Sequence, residues 1–140
     1  MKIISKIAAA GLGLVFAGTS VFGQSLADAK KAIDAEQFQK AKSMLKNLVT
    51  TQSTKDENYF YLGWVYIKQD YPDSAKTVFQ KGLNVNANSA LNHVGLGIVA
   101  RLDKDKAGAQ AQFAQATTLA GKDSKPYVDI AKGYLLPDAN

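Results

Sequence analysis

Apolar residues in the middle of the chain recur at helical spacing. Tyr59, Leu62, Gly63 and Tyr66 stand at i, i+3, i+4 and i+7, which is one face of an α-helix. Ala75, Phe79 and Gly82 continue the pattern on the next segment, with small residues where two backbones can approach. Between the two runs, Gln69-Asp70-Tyr71-Pro72-Asp73 predicts a turn. Pro72 suits a first helical position, and the residue before a proline is pushed out of the helical region. Thr54-x-x-Glu57 predicts a capping box at the start of the first of these helices. Asp105 predicts an N-cap for a helix beginning at Lys106, and Lys125-Pro126 and Pro137 bracket a last helix.

The same pattern returns 34 residues later. Leu62-Gly63 reappears as Leu96-Gly97, Ala75 as Ala109, Phe79 as Phe113, and Gly82 as Ala116. The register reaches back to Ala41, Leu45 and Leu48, and forward from His93, Leu96 and Gly97 to Tyr127, Ile130 and Ala131. In this period and its paired helices, the chain resembles the tetratricopeptide repeat family. Four units follow: residues 24–55, 56–89, 90–123, and an incomplete fourth at 124–140. The second supplies Tyr59, Leu62, Gly63, Tyr66, Ala75, Phe79 and Gly82 to the family pattern. The third supplies His93, Leu96, Gly97, Ala100, Ala109, Phe113 and Ala116. The proline that usually closes a unit is Ala87 in the second and Gly121 in the third, so these joints depart from the family. The resemblance implies an all-α, right-handed solenoid of antiparallel helix pairs, each burying its apolar side on its neighbours.

The first 23 residues have a different character. Lys2 and Lys6 precede the uncharged run Ile7–Ala17, and Val21 and Gly23 end the stretch with slim side chains. This order predicts a secretory signal peptide cut near Gly23/Gln24. The alternative, a membrane anchor, suffers from an apolar run well short of the roughly 20 residues a span needs. No cysteine stands at the junction to carry a lipid. Losing the two lysines lowers the formal charge from +5 to +3, no nucleic-acid signature. The expected place of work is outside the cytoplasm, most simply the periplasm, with no membrane span once the leader is removed.

Chemistry is scarce. There is no cysteine and one histidine, which excludes disulfides, thiol nucleophiles and Cys-ligated metals, and leaves little for a histidine metal cluster. Asp28, Asp34 and Glu36 show no pairing suited to general acid–base work. Gly95-Leu96-Gly97-Ile98-Val99-Ala100 fits a dinucleotide string, but both glycines fall inside a helix, where no phosphate loop can form. Asp103–Gly108 opens like a calcium loop and then places Ala107 and Ala114 where ligands belong; it reads better as a turn. His93 fills a packing position, and Lys40, Lys42 and Lys46 form a solvated face. The expectation is a protein without catalytic site, metal or cofactor.

A second stripe on the repeated first helices is left over. Phe60, Trp64 and Ile67 run alongside Lys68, and their counterparts are Val94, Ile98 and Arg101 in the third unit. Leu26, Lys30 and Ile33 correspond in the first, and Val128, Lys132 and Leu135 in the fourth. The resemblance implies that these positions line a concave groove for a protein or peptide partner. The expected groove is Lys30, Phe60, Trp64, Ile67, Lys68, Val94, Ile98 and Arg101, with Trp and Arg as anchors. The competing reading packs Phe60 and Trp64 against a neighbouring unit. A family clamp for C-terminal carboxylates would use the positions of Leu26, Lys30, Tyr61, Leu91 and Gly95, where only one lysine stands. That clamp is not expected. In the last helix, Tyr127, Ile130, Ala131 and Tyr134 are expected to pack back on the third unit, leaving Val128, Leu135 and Leu136 apolar on other sides. That end predicts self-association, or a chain continuing into a longer repeat protein. The function expected is therefore a non-enzymatic interaction module; the alternatives are a scaffold segment and the accessory domain of an enzyme.

Overall fold

The computed structural model describes residues 24–133, which form seven α-helices and no strand. They are α1 (Leu26–Asp34), α2 (Phe38–Thr51), α3 (Asp56–Lys68), α4 (Pro72–Val85), α5 (Ala90–Leu102), α6 (Lys106–Leu119) and α7 (Lys125–Gly133). The expected leader lies outside the described residues, as do Tyr134, Leu135, Leu136, Pro137 and the side chains of Ile130 and Lys132.

Local chemistry fixes the helix starts. The Ser25 hydroxyl caps α1 by accepting from the Asp28 N–H at 3.1 Å, and itself donates to the Asp28 carboxylate at 2.6 Å. Ser89 caps α5, accepting from the Asn92 N–H, and Asp105 caps α6, accepting from the Gly108 N–H at 2.8 Å, as its position predicts. Pro72 is the first residue of α4. The capping box at Thr54 is not formed. The chain leaves α2 through a turn at 52–54, and α3 begins at Asp56 behind Lys55, which makes no side-chain cap. Asp56 and Glu57 instead place negative charge in the first turn, where the helix dipole favours it.

Three helices end in the same way. Glu36, Asp70 and Lys104 have φ of 56°, 64° and 62°, and they are spaced 34 apart. After each, the next N–H returns to a carbonyl five residues back: Gln37 to Ala32, Tyr71 to Tyr66, Asp105 to Ala100. This is the Schellman termination, which usually employs glycine because a left-handed residue with a Cβ is strained by about 1–2 kcal/mol. Glycine gives back part of that gain through its looser unfolded chain. Lys104→Gly is therefore expected to stabilise the protein by about 0.5–1 kcal/mol, read as a higher urea midpoint at unchanged slope.

Each helix packs on the next in the chain, and α1, α3, α5 and α7 also touch in succession. Among the described residues, α2, α4 and α6 do not contact one another. The odd-numbered helices thus form an inner row, which explains why α3 and α5 are apolar nearly all round. The core carries the 34-residue register. Ala41, Ala75 and Ala109 are buried, as are Leu45, Phe79 and Phe113, and Leu48, Gly82 and Ala116. The Phe79 ring lies between Gly63 on α3 and Gly95 on α5, and an added Cβ on either would overlap it. Phe113 covers Gly97 likewise. Both glycines of the dinucleotide string are therefore close-packing positions inside α5. On α7, Ala131 is buried as expected, but Val128 is buried too, because α7 touches both α5 and α6.

Candidate partner-binding cleft

The inner row encloses an open cleft of about 770 Å³. Lys30 reaches it from α1, Glu57 and Tyr61 from α3, Leu91 from α5, and Pro126 and Tyr127 from α7. Asp56, Lys122, Asp123 and Ser124 complete its edge, so the rim carries charges of both signs.

The cleft floor is aromatic. The Tyr61 and Tyr127 hydroxyls are hydrogen-bonded to each other, and their rings meet edge to face with centroids 5.9 Å apart. Phe60 stands edge-on to both, at 5.2 Å from Tyr61 and 5.1 Å from Tyr127. The Lys30 ammonium sits 4.9 Å from the centre of the Tyr61 ring, a cation–π distance. One cluster therefore ties α1, α3 and α7, and its Tyr61–Tyr127 bond alone spans 66 residues of sequence.

Burial raises both phenols above the ordinary value of 10.0, and for Tyr127 the bond to Tyr61 raises it further. A folded value above the unfolded one means the two tyrosines hold their protons more tightly in the folded chain. Their contribution to stability is whole below pH 10 and is lost as pH rises through the folded values. Absorbance at 295 nm should show two tyrosines ionising late, with base unfolding following. Tyr127→Phe should remove one late step and flatten the loss of stability above pH 10.

The residues expected to form the groove are not gathered into one open lining. Lys30 does face the cleft. Phe60, Val94 and Ile98 are core, at 0%, 1% and 1% exposure, because α5 is flanked by α3 and α7, and Tyr127 closes over Phe60. Trp64 is half-buried, stacked on Phe60 at 6.1 Å, with the Lys68 ammonium 5.2 Å from its ring. Ile67 and Arg101 are half-buried, Leu26 and Ile33 pack on the core, and Lys68 is exposed. Tyr61, Leu91 and Tyr127 were not expected as cleft residues. Two of them, Tyr61 and Leu91, stand with Lys30 among the positions of the family's carboxylate clamp, whose chemistry they lack.

No protein-family model matches the chain, and no curated protein matches it. Among the described residues, no three His, Cys, Asp or Glu side chains converge as metal ligands, and no helix is long and apolar enough to cross a membrane. The two ring nitrogens of His93 stand 2.7 Å from the Gln112 side-chain oxygen and 3.3 Å from the Ala87 carbonyl. Lys40 and Lys46 are exposed, while Lys42 leans toward the Tyr66 ring.

Proposed function

We propose that the chain is an exported, non-enzymatic interaction module that holds a protein or peptide segment in the cleft of its inner helices. In this reading it is a right-handed solenoid of antiparallel helix pairs of the tetratricopeptide kind, working in the periplasm after loss of residues 1–23. The cleft is the observation that carries the reading: it joins an apolar floor of Tyr61, Leu91 and Tyr127 to a rim of mixed charge. Tyrosine supplies large contact area at small entropic cost together with a hydroxyl, which suits an extended segment that brings both apolar side chains and unpaired backbone groups. The rim contains Asp56, Glu57 and Asp123 as well as Lys30 and Lys122, so it favours a segment with charges of both signs over a purely acidic one.

Site-specific photo-crosslinking in cells tests this. A benzophenone side chain at Glu57, on the cleft, should give discrete adducts with another protein. The same group at Lys81, an exposed position of α4, should not. Adducts at both positions alike would sink the cleft as the binding surface. Adducts only between copies of this chain would favour the scaffold alternative.

A further inference from the structure

A second cavity, of about 200 Å³, opens between α4, α5 and α6, away from the cleft. Its floor is Leu96, Val99 and Ala100, and Lys76, Asp103 and Asp105 stand at its edge. The preceding unit shows what this architecture puts there. Thirty-four residues earlier, Ala100 corresponds to Tyr66, Asp105 to Tyr71 and Lys76 to Lys42. Tyr66 and Tyr71 meet edge to face at 6.5 Å, and the Lys42 ammonium lies 5.9 Å from the Tyr66 ring centre. The crevice between the second and third units keeps the lysine, from α4, and the apolar floor, but small or acidic residues stand in place of both rings. The crevice is an aromatic site without its aromatic.

We propose that this crevice receives a tyrosine side chain from a partner protein, which takes the place that Tyr66 fills within the second unit. Its volume suffices, since an apolar cavity of roughly 150 Å³ takes up benzene. Lys76 offers the ring the cation that Lys42 offers Tyr66. The Asp103 and Asp105 carboxylates at the edge give the phenol hydroxyl an acceptor, which selects tyrosine over phenylalanine. The site stands apart from the cleft and does not depend on what the cleft holds.

The test is an NMR titration of the ¹⁵N-labelled chain with p-cresol, the tyrosine side chain as a free molecule, with toluene beside it. Saturable shifts should appear at the Leu96, Ala100 and Gly108 amides, with p-cresol bound at least several-fold tighter than toluene. Ala100→Tyr refills the crevice from within, so it should raise the thermal midpoint and weaken p-cresol binding at least tenfold. Lys76→Ala, at an exposed position, keeps the fold and should weaken binding several-fold. A blocked, tyrosine-containing tripeptide should produce the same shifts as p-cresol. Absence of saturable shifts, equal binding of toluene, or unaltered binding by Ala100→Tyr would overturn the proposal. A dimer of the chain that dissolves on Tyr71→Ala would also overturn it, by making the protein's own exposed tyrosine the occupant.

Discussion

Phe79→Ala is expected to destabilise the protein by about 3–5 kcal/mol, the cost of removing a buried phenylalanine that its surroundings cannot replace. Phe79 has 0% exposure, touches Phe60 at a centroid distance of 6.0 Å, and fills the space left by Gly63 and Gly95. Neither glycine has a side chain with which to close the void, so the cavity penalty adds to the lost transfer energy. A domain with a total stability of roughly 5–15 kcal/mol would be brought close to unfolding. Urea denaturation followed by helical circular dichroism is the measurement. A loss under about 1.5 kcal/mol would mean that α3 and α5 can collapse together, and that Phe79 does not hold them apart.

The first unit offers a check on the same argument. At the register of Phe79 and Gly63 it has Leu45 and Ala29, both with 0% exposure: a smaller side chain opposite a larger one. This exchange of volume between facing positions is how a close-packed interior tolerates change. It also shows why the 34-residue period was legible from residue types. Small and large positions alternate in one register, and the helix pairs follow it from α2 to α6. The turns at Gln69–Asp73 and Asp103–Gly108 were legible, but the left-handed residues that end the helices were not. Glu36, Asp70 and Lys104 keep the period in backbone conformation but differ in chemistry, so no matching of residue types could find them.

The cleft was less legible than the fold, for a related reason. Helical periodicity reports which face of a helix is apolar; it does not report which helix covers that face. Phe60 belongs to a stripe that the sequence leaves open, and it is closed by Tyr127, which arrives from α7. Val128 is misjudged in the same way, since α7 meets two helices at once. Lys30, Tyr61 and Leu91 fall at different points of the 34-residue period, opposite Trp64, Gly95 and Glu57, and the structure brings all three to the cleft. What the sequence lacks is the contact of Tyr61 with Tyr127, a pairing set by how the units stack.

Asn92→Asp is expected to cost about 3–5 kcal/mol at neutral pH, although it changes one amide nitrogen to oxygen. Asn92 has 0% exposure, and its amide nitrogen donates to the Asp56 carbonyl at 3.0 Å and to the Ser89 hydroxyl oxygen at 2.9 Å. Its side-chain oxygen is already buried without a partner. Ionised aspartate would set a negative charge against the Asp56 carbonyl, remove the donor that joins α5 to the start of α3, and keep the unpaired oxygen. Desolvation would raise the folded pKa of the new carboxyl above its unfolded value. The sign follows: the variant is most stable below the unfolded value and loses stability as pH rises through the folded one. Asp28 in the natural chain has the opposite slope. The Ser25 hydroxyl holds its pKa below the ordinary 3.8, so its contribution is lost as pH falls. Urea midpoints of Asn92→Asp should therefore recover toward those of the natural protein on acidification from pH 8 to pH 5. Asn92→Ala, which removes the donor without adding charge, should lose about 1–3 kcal/mol and show no such recovery. Equal, pH-independent losses for the two variants would mean that water reaches Asn92, and that the link from α5 to α3 is packing alone.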